Sequence, residues 1–185
     1  MRALKVLAIA VVVLIGGVLV VAATRPDTFE VRRTASIKAP PERIFPLIND
    51  LHAFNTWNPY EKKDPDIKGS YGGTSEGKGA VYAFQGNTDV GKGRIEIVES
   101  SPASKVTMNL VMLEPFEASN VVEFALEPNA DATNVTWAMH GRCPYVGKIV
   151  HMFFDMDSIV GRDFEAGLAG LKAIVEHPEM AARMN

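Results

Sequence analysis

Between Val6 and Ala23 the chain runs for 18 residues without a charged or polar side chain, and no other feature constrains its fold so strongly. At 1.5 Å of rise per residue, a helix of that length spans roughly 27–30 Å, the thickness of a bilayer's hydrocarbon core. A core helix of a soluble protein keeps a polar face, and this run has none. Arg2 and Lys5 precede it and Arg25-Pro26-Asp27 ends it. We therefore read residues 1–25 as a transmembrane anchor that contacts the membrane through residues 6–23. A cleaved signal peptide is the competing reading, since the leading flank is basic and Val21-Ala22-Ala23 is small enough for a peptidase. Its apolar region is usually shorter, about 7–15 residues. Short basic N-termini stay inside, and long domains translocate largely regardless of charge. The expectation is a single-pass membrane protein with its soluble domain on the extracytoplasmic side, the periplasm in a bacterium.

Beyond this segment the composition is that of an ordinary soluble domain. Of the 185 residues, 47% are hydrophobic and 22% charged, which excludes collagen-like, low-complexity and wholly disordered chains. Nineteen basic residues against 22 acidic ones leave no excess to neutralise phosphates, so no nucleic-acid partner is expected. Arg25, Arg32 and Arg33 read as juxtamembrane charge. Cys143, the single cysteine, excludes an intrachain disulfide and a multi-cysteine zinc site.

Residues 26–28 read as a linker, 29–177 as one domain and 178–185 as a tail. From Phe29 to Lys38, apolar and polar residues alternate as in a half-buried strand. Pro41 at a helix start, followed by Ile44, Phe45, Leu47 and Ile48, predicts a short helix to Ile48. Leu51–Tyr60 suits a second short helix and a loop. Six further strand-like runs follow, near 67–71, 80–85, 93–99, 105–113, 117–127 and 133–140. Ile149 to Val175 then carries helical spacing, as one long helix or as two with a break near Asp155–Gly161. Strands without long helices between them form an antiparallel sheet, so the class is α+β with helices on one face.

No catalytic motif stands out. Gly72–Gly79 lacks the hydroxyl and the helix start of a phosphate-binding loop, so it reads as a hairpin turn. His151 with Asp155 and Asp157 is more simply an acidic loop than a metal site. No metal and no cofactor are expected. The sheet faces are more informative. Tyr82 and Phe84, Met108 and Leu110, Val122 and Phe124, and Trp137 and Met139 each share strand parity. With Trp57, Phe164 and Leu168 they are the candidate lining of an apolar cavity, where methionine and aromatic side chains form an adaptable wall. Plain core packing is the alternative for each. Asn120 shares the parity of an apolar face, so its amide must bond the neighbouring backbone or orient a ligand.

These residues carry a resemblance. Phe29-Glu30-Val31, then Ile37-Lys38-Ala39-Pro40-Pro41-Glu42-Arg43-Ile44-Phe45-Pro46-Leu47-Ile48-Asn49-Asp50 and Phe54-Asn55-Thr56-Trp57-Asn58-Pro59 resemble the start of a polyketide cyclase/dehydrase-type member of the START-like (SRPBCC) superfamily. Asp64-Pro65, Gly86-Asn87, Gly91-Lys92-Gly93, Val135-Thr136-Trp137 and Asp163-Phe164-Glu165-x-Gly167-Leu168 extend it over about residues 29–176. The resemblance implies a helix-grip fold: a curved antiparallel sheet of about six to seven strands around a long C-terminal helix, preceded here by one transmembrane helix. It implies a hydrophobic ligand cavity for a lipid, polyketide or other apolar small molecule. It carries over no catalytic residue.

Three functions fit. The favoured one is membrane-tethered binding or carriage of a hydrophobic small molecule or lipid, with access past Trp57–Tyr71 or the start of the last helix. The second is a cyclase, dehydratase or hydrolase, for which Asp163, Glu96, Tyr82 and His140 are the candidate acid/base groups. The third is an interaction or envelope-sensing module whose cavity is packed shut.

Overall fold

The computed structural model describes residues 2–153, 155–177 and 179. Helix α1 (Arg2–Thr24) leads into strand β1 (Thr28–Ile37). Four short helices follow: α2 (Pro41–Ile44), α3 (Pro46–Asn49), α4 (Leu51–Asn55) and α5 (Pro59–Lys63). Strands β2 (Lys68–Gly73), β3 (Ala80–Gln85), β4 (Lys92–Ser101), β5 (Lys105–Glu114), β6 (Ala118–Asn129) and β7 (Ala132–Arg142) come next, then helices α6 (Tyr145–Phe153) and α7 (Met156–Glu176). The strands form one antiparallel sheet in the order β1-β7-β6-β5-β4-β3-β2. β1 inserts beside β7, so the first and last strands close one edge of the meander. The curved sheet and the helix gripped against it are the helix-grip architecture of the α+β class.

All seven strands stand on or beside the strand-like runs of the sequence. The single helix expected over 41–48 is two, because Pro46 has no N–H to continue it. The last helical stretch divides at Asp155, whose carboxylate accepts from the Ser158 backbone N–H at 3.1 Å and caps α7. Of Gly72–Gly79, the two glycines at 72 and 73 pair in the β2–β3 ladder and Thr74–Gly79 is the hairpin connection, held by a Gly77 N–H to Asn49 carbonyl bond of 2.8 Å. Register shifts at Lys92/Gly93 and Ile97/Glu99 break the β4–β5 ladder, and bulges of this kind bend a sheet. The metal alternative rested on His151, whose side chain lies outside the described residues. The tail over 178–185 also lies outside them, apart from 179.

Helix α7 crosses the concave face, and its buried residues include Phe164, Leu168, Leu171 and Val175. Two of its glycines mark close approaches. A Cβ at Gly167 would come within 2.6 Å of Trp137 Cζ3, and one at Gly161 within 2.0 Å of Arg33 Nη2. Arg33, expected as juxtamembrane charge, instead ties β1 to α7. Its Nε donates to Glu165 Oε1 at 2.8 Å, and its Nη2 donates to Asp157 Oδ2 at 2.9 Å and to the Asp157 carbonyl at 3.0 Å. These two carboxylates hold its guanidinium well above the usual arginine range. Arg33 sits opposite Trp137, on the inner side of the edge strand, which is why it meets a helix and not solvent.

Arg33→Ala is expected to lower the thermal unfolding midpoint of the full chain in detergent by several degrees, read by circular dichroism. Gly161→Ala is expected to act in the same direction by displacing the guanidinium. Because both break one contact, the double variant should lose less than the sum of the two. The Asp155 cap adds a pH dependence. The Ser158 bonds hold its carboxyl below the usual range. Its stabilisation is therefore present above the unfolded pKa of about 4 and is lost as acidification protonates it. Asp155→Ala should flatten that acid limb.

Candidate functional site: an apolar cavity under the last helix

The concave face, α5 and α7 enclose a cavity of about 400 Å³, within the roughly 300–1,000 Å³ of small-molecule pockets. Its sheet wall is made of inward positions two residues apart: Tyr82 and Phe84 on β3, Met108, Leu110 and Met112 on β5, Asn120 and Val122 on β6, and Trp137 and Met139 on β7. Phe164 and Val160 close it from α7, and Tyr60, Glu61 and Lys63 from α5. One end is bordered by Thr88–Val90, Pro115 and the start of α7 at Met156 and Ile159.

Nine of the twelve residues expected in such a lining border this cavity. Trp57, Phe124 and Leu168 do not; they are fully buried in the core below it. Phe54, Trp57, Phe124, Trp137 and Phe164 form an aromatic floor. Trp137 stacks on Phe164 with centroids 4.2 Å apart and planes 9° apart, and meets Phe124 at 4.9 Å. Strand parity assigns a side chain to a face of the sheet. It does not say how far along the groove the core closes. Lys63, Glu61 and Tyr60 fall in the Trp57–Tyr71 access segment but not in the expected lining, because the Pro-broken stretch around them shows no period.

Polar groups in the wall are few. The Trp57 N–H donates to the Leu47 carbonyl at 2.8 Å, whereas the Trp137 N–H is buried with no partner among the described residues. Asn120 is also buried. It lies over Gly141, where a Cβ would come within 2.1 Å of its Oδ1. At the α5 side, Asp163 accepts from Lys63 Nζ at 2.7 Å. Burial, and then the charge and hydrogen bond of Asp163, push the Tyr60 hydroxyl far above the ordinary tyrosine range. The Tyr82 hydroxyl donates to Glu61 at 2.7 Å; burial first and this carboxylate second shift it in the same direction. Both tyrosines therefore keep their protons at neutral pH. Asp64 is buried, and its carboxylate accepts from the Asn87 N–H at 2.6 Å and the Asp66 N–H at 3.1 Å. It thereby locks the β3–β4 turn onto the loop after α5.

Of the four candidate acid/base groups, Asp163 and Tyr82 border the cavity. Glu96 and His140 do not. Glu96 pairs with Arg94 at 3.2 Å, and His140 sits opposite Glu30 and Val121, on the outward parity of β7.

A family model described as polyketide cyclase / dehydrase and lipid transport matches residues 28–176. No curated protein sequence matches. Among solved structures, the chain is similar to protein CV1439 from Chromobacterium violaceum, at 16% identity and a TM-score of 0.56 over 82% of this chain and 99% of that one. It is similar to MLL2253 from Mesorhizobium loti, at 14% identity and a TM-score of 0.59 over 80% and 97%. The Aha1 dimer from Colwellia psychrerythraea matches at 19% identity and a TM-score of 0.57, again over 80% and 97%. Likeness at these identities shows the fold alone.

Asp64→Ala removes the acceptor of two backbone donors in a buried setting and is expected to cost about 2 kcal/mol. Urea unfolding should read that loss. Hydrogen exchange should show the Asn87 amide losing its protection before the sheet amides do.

Proposed function

We propose, from the premise that this chain belongs to the polyketide cyclase/dehydrase and lipid transport family, that it binds or carries one hydrophobic small molecule or lipid in the cavity under α7. It does so tethered by α1, with the domain on the extracytoplasmic side of the membrane. The observation that carries this reading is an apolar cavity whose wall includes a buried indole N–H, that of Trp137, without an acceptor among the described residues. A buried donor left unpaired costs about 1–3 kcal/mol. A ligand carbonyl or ester oxygen accepting from Trp137 removes that cost. Burying about 300 Å² of apolar ligand surface contributes roughly 7 kcal/mol before immobilisation costs. The reading of a cavity packed shut loses ground for the same reason, since the aromatic floor closes only one end.

The test is native mass spectrometry of the full chain against its denatured mass. A reproducible adduct lost on denaturation is expected. Met108→Lys places a charge in the wall and should abolish the adduct, whereas Asn109→Lys, on the exposed opposite face of β5, should keep it. Trp137→Phe keeps an aromatic ring but removes the donor and part of the indole. It is expected to lower the unfolding midpoint, because the stack on Phe164 is trimmed, and to retain ligand about tenfold less well. Equal adducts in all variants would overturn the cup. For the tether, protease added to spheroplasts of a bacterial host should degrade the domain; protection of the domain would reverse its orientation.

A second reading, acid/base chemistry on the bound molecule, draws on Asp163 and on the Tyr82–Glu61 pair at the same wall. Asp163 is ion-paired with Lys63, and both tyrosines hold their protons, so the tyrosine hydroxyls suit proton donation better than proton abstraction. Turnover lost in Asp163→Asn with the adduct retained would favour it.

A further inference from the structure

The end of the cavity bordered by loops lies at the end of the sheet where α1 enters. The ladder pairs Thr28 with Arg142, Gly141 with Asn120, Ala118 with Met112 and Glu114 with Lys92. The start of β1, the end of β7 and the turns at 86–91 and 115–117 therefore share one level. Helix α6 follows from the end of β7 at this level and lies against the last turns of α1. The Tyr145 hydroxyl donates to the Leu19 carbonyl at 2.5 Å, and Lys148 pairs with Asp27 at 2.5 Å. Ala22 is the one buried position among the described residues of α1. Leu19 lies four residues inside the apolar run, about 6 Å from its end. Tyr145 thus sits at the depth where aromatic residues mark a membrane interface.

The exposed apolar side chains cluster at the same level. Outside α1, large hydrophobic residues are exposed at seven described positions, and six belong to this end, Tyr71 being the exception. Phe116 is 82% exposed and Val146 71%. Soluble surfaces scatter such residues singly, and a patch of them marks an interaction site. Val146 and Val150 stand one helical turn apart on the face of α6 turned away from the domain.

We propose that this end of the domain docks on the surface of the same bilayer that α1 crosses, with α6 lying at headgroup depth and Phe116 inserted. The bordered end of the cavity then exchanges its ligand directly with the leaflet. The inference rests on reading α1 as an anchor and the cavity as a binding cup. The bilayer is the occupant because α6 is packed along α1 at interfacial depth. A helix crossing the membrane brings the lipid surface to this face by continuity, and another protein would have to displace it.

The test uses the full chain in phosphatidylcholine/phosphatidylglycerol vesicles doped with nitroxide-labelled lipid. In a Cys143→Ala background, an environment-sensitive fluorophore is placed by Leu14→Cys, Phe116→Cys, Val146→Cys or Asp131→Cys, the last in the turn at the opposite end of the sheet. Lipid quenching of roughly twofold or more is expected at 14, 116 and 146, and none at 131. Quenching at 14 alone overturns docking and leaves the anchor standing. If the co-purified adduct also persists, the cup stands as well. Quenching at no position overturns the anchor and the docking together. Shielding of 116 and 146 from aqueous iodide without lipid quenching assigns the face to a second copy or a partner protein and likewise overturns the proposal. Quenching as expected with no adduct in any preparation leaves docking intact and removes the cup.

Discussion

The stack of Trp137 on Phe164 is the contact on which the rest of the domain depends. It joins β7, the strand next to the sheet edge, to the middle of α7 and sets their separation. Gly167 is part of the same constraint, because a methyl group there would strike the indole edge. At one side Arg33 ties the edge strand to the start of α7; at the other the aromatic floor closes the core. Between them the sheet curves away faster than side chains fill the gap, so a cavity remains. Interiors are otherwise packed to crystal-like density, and a space of this size persists only where a rigid pillar keeps helix and sheet apart.

The cavity wall is economical in polar groups, and their arrangement divides its length. Glu61, Asp163 and Lys63 are engaged with partners at the α5 side, where they hold the tyrosine protons, and Asp64 behind them fixes the adjoining loops. The Trp137 N–H at the aromatic floor has no acceptor among the described residues. Two tryptophans close together in one core therefore differ in kind. The Trp57 N–H is completed by the Leu47 carbonyl, and that of Trp137 by no described residue. The proposed ligand is one whose shape is apolar and whose oxygen is placed deep, not at the rim.

The topology also joins two features that lie far apart in sequence. An antiparallel sheet with β1 beside β7 returns the chain to the level at which it began. The end of α1, α6 and the loops bordering the cavity meet there as a consequence of strand order. Docking on the bilayer would use an arrangement that the fold already imposes.

The sequence by itself determined the elements and their class. The unbroken apolar run, the alternation in most of the strand segments and the helical spacing after Ile149 are local properties, and each survives in the structure because side-chain alternation follows from backbone geometry. It also determined which residues face inward, since Tyr82, Met108, Asn120 and Trp137 follow strand parity. Depth was decided only by tertiary structure. Phe124 has the parity of Val122 and the chemistry of Phe84, yet it lies in the closed floor, because the point at which α7 descends onto the sheet is set by contacts more than 25 residues away along the chain. Arg33 reads as one charge of a basic cluster until the β1–β7 register turns it toward Asp157 and Glu165. The same holds for α5, whose Pro-broken sequence carries no period and whose place in the wall comes from packing against α7. Local pattern is written in neighbouring residues; the spacing between helix and sheet is a sum over distant ones.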